Sequence, residues 1–265
     1  MSEPVLYEQR GRIVLLTLNK AGARNPIDPD VVDAIEAAVK RINGDTSVSC
    51  MILTGAGDAF CAGGNVKEMA ERKGMFGGSP AEMRRGYAHG IQRVPLALYA
   101  LEVPSIAAVN GPAVGAGCDL AMMCDLRVAA EEASFAESFL RVGLVSGDGG
   151  AWFLPRVLGI TRAYEMAFTG DVVSAAKAEA WGAVTKVVAK AQLLDEAFAL
   201  AGRIVRHPPQ SLRLMKRLVR DGHESTLPQN LELAALMQAA AQHTEDQQEA
   251  IAAFLGKRDP VFKGK

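Results

Sequence analysis

Two glycine-rich turns constrain this chain more than any other feature: Gly55-Ala-Gly-Asp-Ala-Phe-Cys-Ala-Gly-Gly-Asn65 and Asn110-Gly-Pro-Ala-Val-Gly-Ala-Gly-Cys-Asp119. Each follows a strand-like run, Met51-Ile-Leu-Thr54 in one case and Ser105-Ile-Ala-Ala-Val109 in the other. Each leads into an apolar, helix-compatible stretch, so both read as strand, turn and helix entry. The first N–H groups of a helix have no acceptor within it and carry partial positive charge. Two such turns aimed at one point would offer two fixed donors to an oxygen that becomes anionic during a reaction. That arrangement is enzyme-like.

Composition narrows the class. At 265 residues the chain can bury a large core, either as one α/β domain or as a domain with an appendage. No apolar run reaches the roughly 18 residues a spanning helix needs. Met1-Ser-Glu-Pro4 lacks the basic start and apolar stretch of a signal peptide, so the expected location is cytoplasmic, away from membranes. The net charge is −1 with both signs interspersed, which argues against nucleic acid as a partner. Cys50, Cys61, Cys118 and Cys124 show no CxxC spacing, and His89, His207, His223 and His243 are scattered. Buried free thiols and no metal site are therefore expected.

Val5 to Leu18 holds two β-rich runs around Gly11, which fits a hairpin. A helix follows, with Asp28 as N-cap, Pro29 at its first position, and Val31, Val32, Ile35, Ala38, Val39 and Ile42 as its apolar stripe. Strand and helix signals then alternate to about residue 190, including Leu126-Arg-Val-Ala129 and Ala183 to Val188, so the core reads as α/β. Between the first glycine turn and a helix near Ala88 to Ala100, the segment Glu71 to Pro80 mixes charge, glycine, Met75 and Phe76, and reads as a mobile flap. After His207-Pro-Pro209 only helices remain. Leu212, Met215, Leu218 and Val219 share a face, Leu231 to Ala241 forms a second helix, and Thr244 with Gln247 has capping-box spacing before a third. This divides the chain into a core over 1–206 and a helical region over 207–265, whose apolar faces suit a subunit interface.

In Gly115-Ala-Gly-Cys-Asp119 the small residues would let a ligand oxygen approach the Ala116 N–H. Asp119, three residues on, would share that face of a helix. An amide holding an enolate oxygen beside a carboxylate suits proton transfer next to a thioester carbonyl, although an acid in a first turn also simply stabilises the helix dipole. Asp148, flanked by Gly147, Gly149 and Gly150, sits on a turn as a second candidate or as an N-cap. Glu137, in Phe135-Ala-Glu-Ser-Phe139, reads as structural or pocket-adjacent. There is no phosphate-binding GxxxxGK[ST] loop, no GxSxG elbow and no dinucleotide fingerprint, which disfavours nucleotide hydrolases, serine hydrolases and dehydrogenases.

Across nearly the whole chain these residues resemble the crotonase superfamily, the enoyl-CoA hydratase/isomerase family. Phe60-Cys-Ala-Gly-Gly-Asn-Val-Lys-Glu-Met69 resembles its first oxyanion turn, and Pro104 to Asp125 its second. Phe168-Thr-Gly-Asp171, Ala180-Trp-Gly-Ala-Val-Thr185 and Phe254 to Phe262 add to the match. The resemblance implies a spiral of ββα units with a C-terminal helical trimerisation region, assembled as a homotrimer or dimer of trimers. It implies an acyl-CoA thioester as substrate and no cofactor beyond the coenzyme A the substrate carries. Carried over by position, the Ala62 and Ala116 amides would hold the thioester oxygen. Ala62, Gly63, Gly64 and Asn65 would border the coenzyme A path, and Lys257 would reach the nucleotide phosphate of a neighbouring subunit.

The chain departs from the hydratase pattern of two glutamates. The first position is Asp119, and the second falls on Phe139, which would line the substrate site but cannot transfer a proton. Asp148 stands in a turn where members with other activities place an acid. The expected reaction is hydration of a 2-enoyl-CoA to a 3-hydroxyacyl-CoA, with Asp119 and Asp148 handling the protons. Double-bond isomerisation is the first alternative, and acyl-CoA binding without turnover the second.

Overall fold

The computed structural model describes residues 3–64 and 66–265. Strands β1 (Val5–Arg10) and β2 (Ile13–Leu18) form the expected antiparallel hairpin across Gly11, pairing Val5 with Leu18 and Arg10 with Ile13. Helix α1 (Pro29–Gly44) starts where the sequence places it: Asp28 Oδ1 accepts the Val31 N–H at 3.1 Å, and all six residues of the apolar stripe are buried. Strand β3 (Cys50–Gly55) then runs parallel to β2, and the chain passes through helices α2 (Val66–Ala70), α3 (Pro80–His89) and α4 (Arg93–Tyr99). Strands β4 (Ser105–Val109) and β5 (Pro112–Val114) precede helix α5 (Ala116–Met123), which is buried along its whole length.

Strands β6 (Leu126–Ala130) and β7 (Ser134–Ala136) follow, then helices α6 (Gly150–Leu158) and α7 (Ile160–Thr169), strand β8 (Val173–Ser174), helix α8 (Ala175–Ala180) and strand β9 (Lys186–Val188). The main sheet has the order β1-β2-β3-β4-β6-β9 and is parallel from β2 onward. Every residue of β3 and β4 is buried, as a parallel sheet covered on both faces requires. Helix α9 (Leu193–Val205) packs on β3, β4 and β6. A second sheet, β5-β7-β8, lies beside the first glycine turn, to which the Cys61–Ala113 bridge joins it.

The segment read as a flap holds one short turn, Gly74–Phe76. Helix α3 already begins at Pro80, with Ser79 and Glu82 forming a reciprocal capping box, and the chain breaks at Gly90 before α4 rather than continuing as one helix to Ala100. Helices α10 (Pro209–Gly222), α11 (Leu227–Gln242) and α12 (Glu245–Gly256) complete the chain. Arg213 fixes α10 to the core through Glu102 Oε2 at 2.7 Å and the Asp45 carbonyl at 2.9 Å. Lys216 adds an ion pair to Asp125 at 2.8 Å. By contrast Leu227, Leu231 and Leu236 on α11, and Ile251, Phe254 and Leu255 on α12, are exposed.

Candidate active site

The two glycine turns meet. Two asparagines hold the first: Asn25 Nδ2 donates to the carbonyls of Ala56 and Ala59, both at 2.9 Å, and Asn110 accepts the Gly55 N–H while donating to the Gly57 carbonyl. Helix α5 then packs directly on this turn. A Cβ at Gly117 would lie 2.0 Å from the Cys61 carbonyl oxygen, so only glycine permits the approach. A Cβ at Gly63 would lie 3.2 Å from the Ala116 nitrogen, which puts the first turn beside the start of α5.

The amides do not divide as the sequence suggests. The Ala62 N–H is committed, donating to the Arg24 carbonyl at 2.9 Å, and the Gly63 N–H bonds the Cys61 thiol. Among the described residues the N–H groups of Gly64 and Ala116 have no acceptor. Ala116 is the first residue of α5, where an open N–H is a geometric necessity. The first turn therefore leaves the Gly64 amide open, while that of Ala62 closes the loop. Asn65 lies outside the described residues.

Asp119 is fully buried and faces the same side of α5 as Ala116. Its carboxyl lies close to those of Glu137 and Asp148, each only 3% exposed, so three buried carboxyls cluster here. Ser146 Oγ donates to Asp119 Oδ2 at 3.0 Å and lies 3.4 Å from Asp148 Oδ1. Gly150 completes the fit: a Cβ there would sit 2.0 Å from Asp119 Oδ1. Burial, reinforced by Glu137, holds the Asp119 proton well above the usual carboxylate range. Burial and the neighbouring Asp119 push Asp148 up to about 9, and burial also raises Glu137. A carboxyl held as high as Asp148 stays protonated at neutral pH and can act as an acid. Among the described residues, no group of three or more His, Cys, Asp or Glu is arranged to hold a metal ion.

Glu137, read from the sequence as structural or pocket-adjacent, lies buried against the site. It follows β7, two positions after the buried Phe135, and strand alternation sends both side chains inward. That period-two spacing was the available signal. Phe139 and Glu137 line one cavity of about 330 Å³ with Ser146, Gly150, Leu154 and Tyr164. A second cavity of about 390 Å³ lies on the other side of the Asp148 turn, against Gly147, Gly149, Tyr99 and Trp152. Tyr87 of α3 presses on Gly147, and Phe76 approaches Gly64, so the segment after the first turn borders the site. Lys257 caps α12 with a left-handed backbone, φ 51°.

Comparison with known proteins fits this geometry. The family model described as enoyl-CoA hydratase/isomerase matches residues 8–265. The chain is 36% identical over 264 residues to crotonyl-CoA hydratase of Syntrophomonas wolfei, covering 99% of each chain. It is 34% identical over 266 residues to 1,2-epoxyphenylacetyl-CoA isomerase of Escherichia coli, covering 100% of each. An enoyl-CoA hydratase structure from Bacillus anthracis superposes with a TM-score of 0.92 at 31% identity, over 99% of this chain and 100% of that one. Paired glycine turns, a spiral core and a match spanning almost every residue place this chain in the enoyl-CoA hydratase/isomerase family.

Proposed function

We propose that this protein adds water to a 2-enoyl-CoA thioester, giving the 3-hydroxyacyl-CoA. The observation that carries this reading is the pairing of two open amides, Gly64 and Ala116, with a buried carboxyl one helical turn from Ala116. The amides bond the thioester oxygen and hold the charge it gains as the β-carbon is attacked. Water supplies the new C–O bond, and Asp119 and Asp148 between them take up its proton and deliver one to the α-carbon as the enolate collapses. No cofactor is needed beyond the coenzyme A of the substrate.

A specific observation favours isomerisation as the second reading. Phe139 lines the cavity at the position where the hydratase pattern has its second glutamate, and a phenyl ring there can neither activate water nor transfer a proton. In that case a carboxyl moves a proton between two carbons with no net gain of mass. Incubation with 2-enoyl and 3-enoyl thioesters, followed by mass measurement of the products, separates the readings. A product heavier by one water supports hydration, conversion at constant mass supports isomerisation, and binding without conversion supports a carrier role.

The exposed apolar residues of α11 and α12 support assembly as a trimer or dimer of trimers, with Lys257 of one subunit reaching toward the coenzyme A phosphate bound by its neighbour. No helix among the described residues is long and apolar enough to cross a membrane, and the expected compartment is the cytoplasm.

A further inference from the structure

The cavity of about 330 Å³ bordered by α6 and α7 meets the buried acids at one end and solvent at the other. At its inner end lie Glu137, Ser146, whose Oγ donates to Asp119, and Gly150, which packs against the Asp119 carboxyl. Phe139 also reaches inward: a Cβ at Gly115, the residue before Ala116, would lie 3.7 Å from the tip of its ring. The walls are apolar, with Leu154 and Ala163 buried. At the outer rim Val145, Ile160, Tyr164 and Phe168 are exposed, and the last two rings stack with centroids 5.1 Å apart.

We propose that this cavity takes the acyl chain of the substrate, and that the preferred thioesters are those of medium-chain apolar acids. The inference rests on the reading that the ligand is an acyl-CoA thioester and adds the class of acyl group. At about 30 Å³ per heavy atom, the volume of a water in the liquid, the cavity holds roughly ten chain atoms beyond the reacting carbons, so it fills at about twelve carbons. A four-carbon chain would leave most of it empty.

Polarity along the cavity runs in the direction this requires. The Glu137 carboxyl, whose Oε1 has no partner, and the Ser146 hydroxyl stand at the inner end, where the substrate carries its oxygen chemistry. From there to the Tyr164 hydroxyl at the rim the lining is apolar. A chain passing the rim also covers side chains that are otherwise in water, which is favourable. The cavity of about 390 Å³ on the other side of the Asp148 turn is less suited. Pro95 and Phe153 press on Gly149 there, and Gln92 Nε2 donates to the Gly147 carbonyl at 2.8 Å, so it meets the backbone of the turn rather than the carboxyls. Glu224 also borders it.

Saturated thioesters from butyryl-CoA to palmitoyl-CoA, which have no double bond to hydrate or move, test this by calorimetry on the intact protein. Each added methylene should tighten binding about two- to fourfold as far as lauroyl-CoA, with little change beyond it. Ala167→Phe fills the cavity from α7 and should make decanoyl-CoA bind no better than butyryl-CoA, and Ala151→Leu does the same from α6 should the first variant not fold. Leu96→Phe, in the other cavity, should leave the gradient intact. Affinity independent of chain length, or a gradient lost in Leu96→Phe and kept in Ala167→Phe, would overturn the proposal. A gradient without conversion of the matching enoyl thioesters would refute hydration and leave the cavity assigned. Hydration of crotonyl-CoA with no gradient would refute the cavity alone, and binding of no thioester would refute both.

Discussion

Replacing Asp148 by asparagine should make the protein less sensitive to alkali. Asp148 is 3% exposed, and burial together with Asp119 pushes its carboxyl from an ordinary 3.8 up to about 9. The folded chain therefore holds this proton more tightly than the unfolded chain. Below the unfolded value both states are protonated and the stabilisation is complete. Between the two values the unfolded state ionises and the folded state does not, so stability falls by about 1.4 kcal/mol per pH unit. From about pH 5.5 to about pH 8.5 this one group removes about 4 kcal/mol. In Asp148→Asn the group no longer titrates, and the amide retains the shape and a donor. Urea unfolding of both proteins across that range should show the variant gaining on the native chain by about 4 kcal/mol toward the alkaline end. A constant difference at every pH would refute the reasoning, since it would mean that Asp148 ionises alike in both states.

Other perturbations follow from the packing. Gly150→Ala places a Cβ 2.0 Å from Asp119 Oδ1 and 2.4 Å from its Cγ, inside a fully buried carboxyl. The clash should exceed the roughly 1 kcal/mol gained from helix propensity, for a net loss of about 2 kcal/mol that Asp119→Ala relieves in the double variant, measured as a thermodynamic cycle. Asn25→Ala removes the donors to Ala56 and Ala59 and leaves an alanine at φ 55°. It should cost about 2 to 4 kcal/mol in chemical unfolding and loosen the first glycine turn. Phe254 is 83% exposed, so Phe254→Asp should leave the subunit fold intact while lowering the mass found by light scattering. An unchanged mass would remove α12 from the assembly interface.

Local chemistry made much of the fold legible. The stripe and Asp28 cap of α1 and the hairpin at Gly11 are where the spacing places them. The glycine turns enter helices as their preceding strands suggest, because each signal lies within a few residues. The start of α3 was equally local: Ser79, Pro80 and Glu82 are a capping signature that the nearby glycines obscured. What could not be read locally depends on distant partners. The Ala62 amide is consumed by the Arg24 carbonyl, and no spacing within the turn announces that. Likewise Glu137 joins the other two acids only when α5, the end of β7 and the glycine turn before α6 come together. Asp148 was visible as an acid among glycines, while its connection to Asp119 through Ser146 required the fold.

The central claim is that Gly64 and Ala116 polarise a thioester carbonyl. A coenzyme A thioester of an aromatic enoic acid, conjugated from ring to carbonyl, reports this by its ultraviolet absorption when bound to the protein. The account predicts a shift to longer wavelength on binding, reduced in Ala116→Pro, since proline is accepted at the first position of a helix yet has no N–H to donate. Tight binding with no change in the spectrum would contradict it.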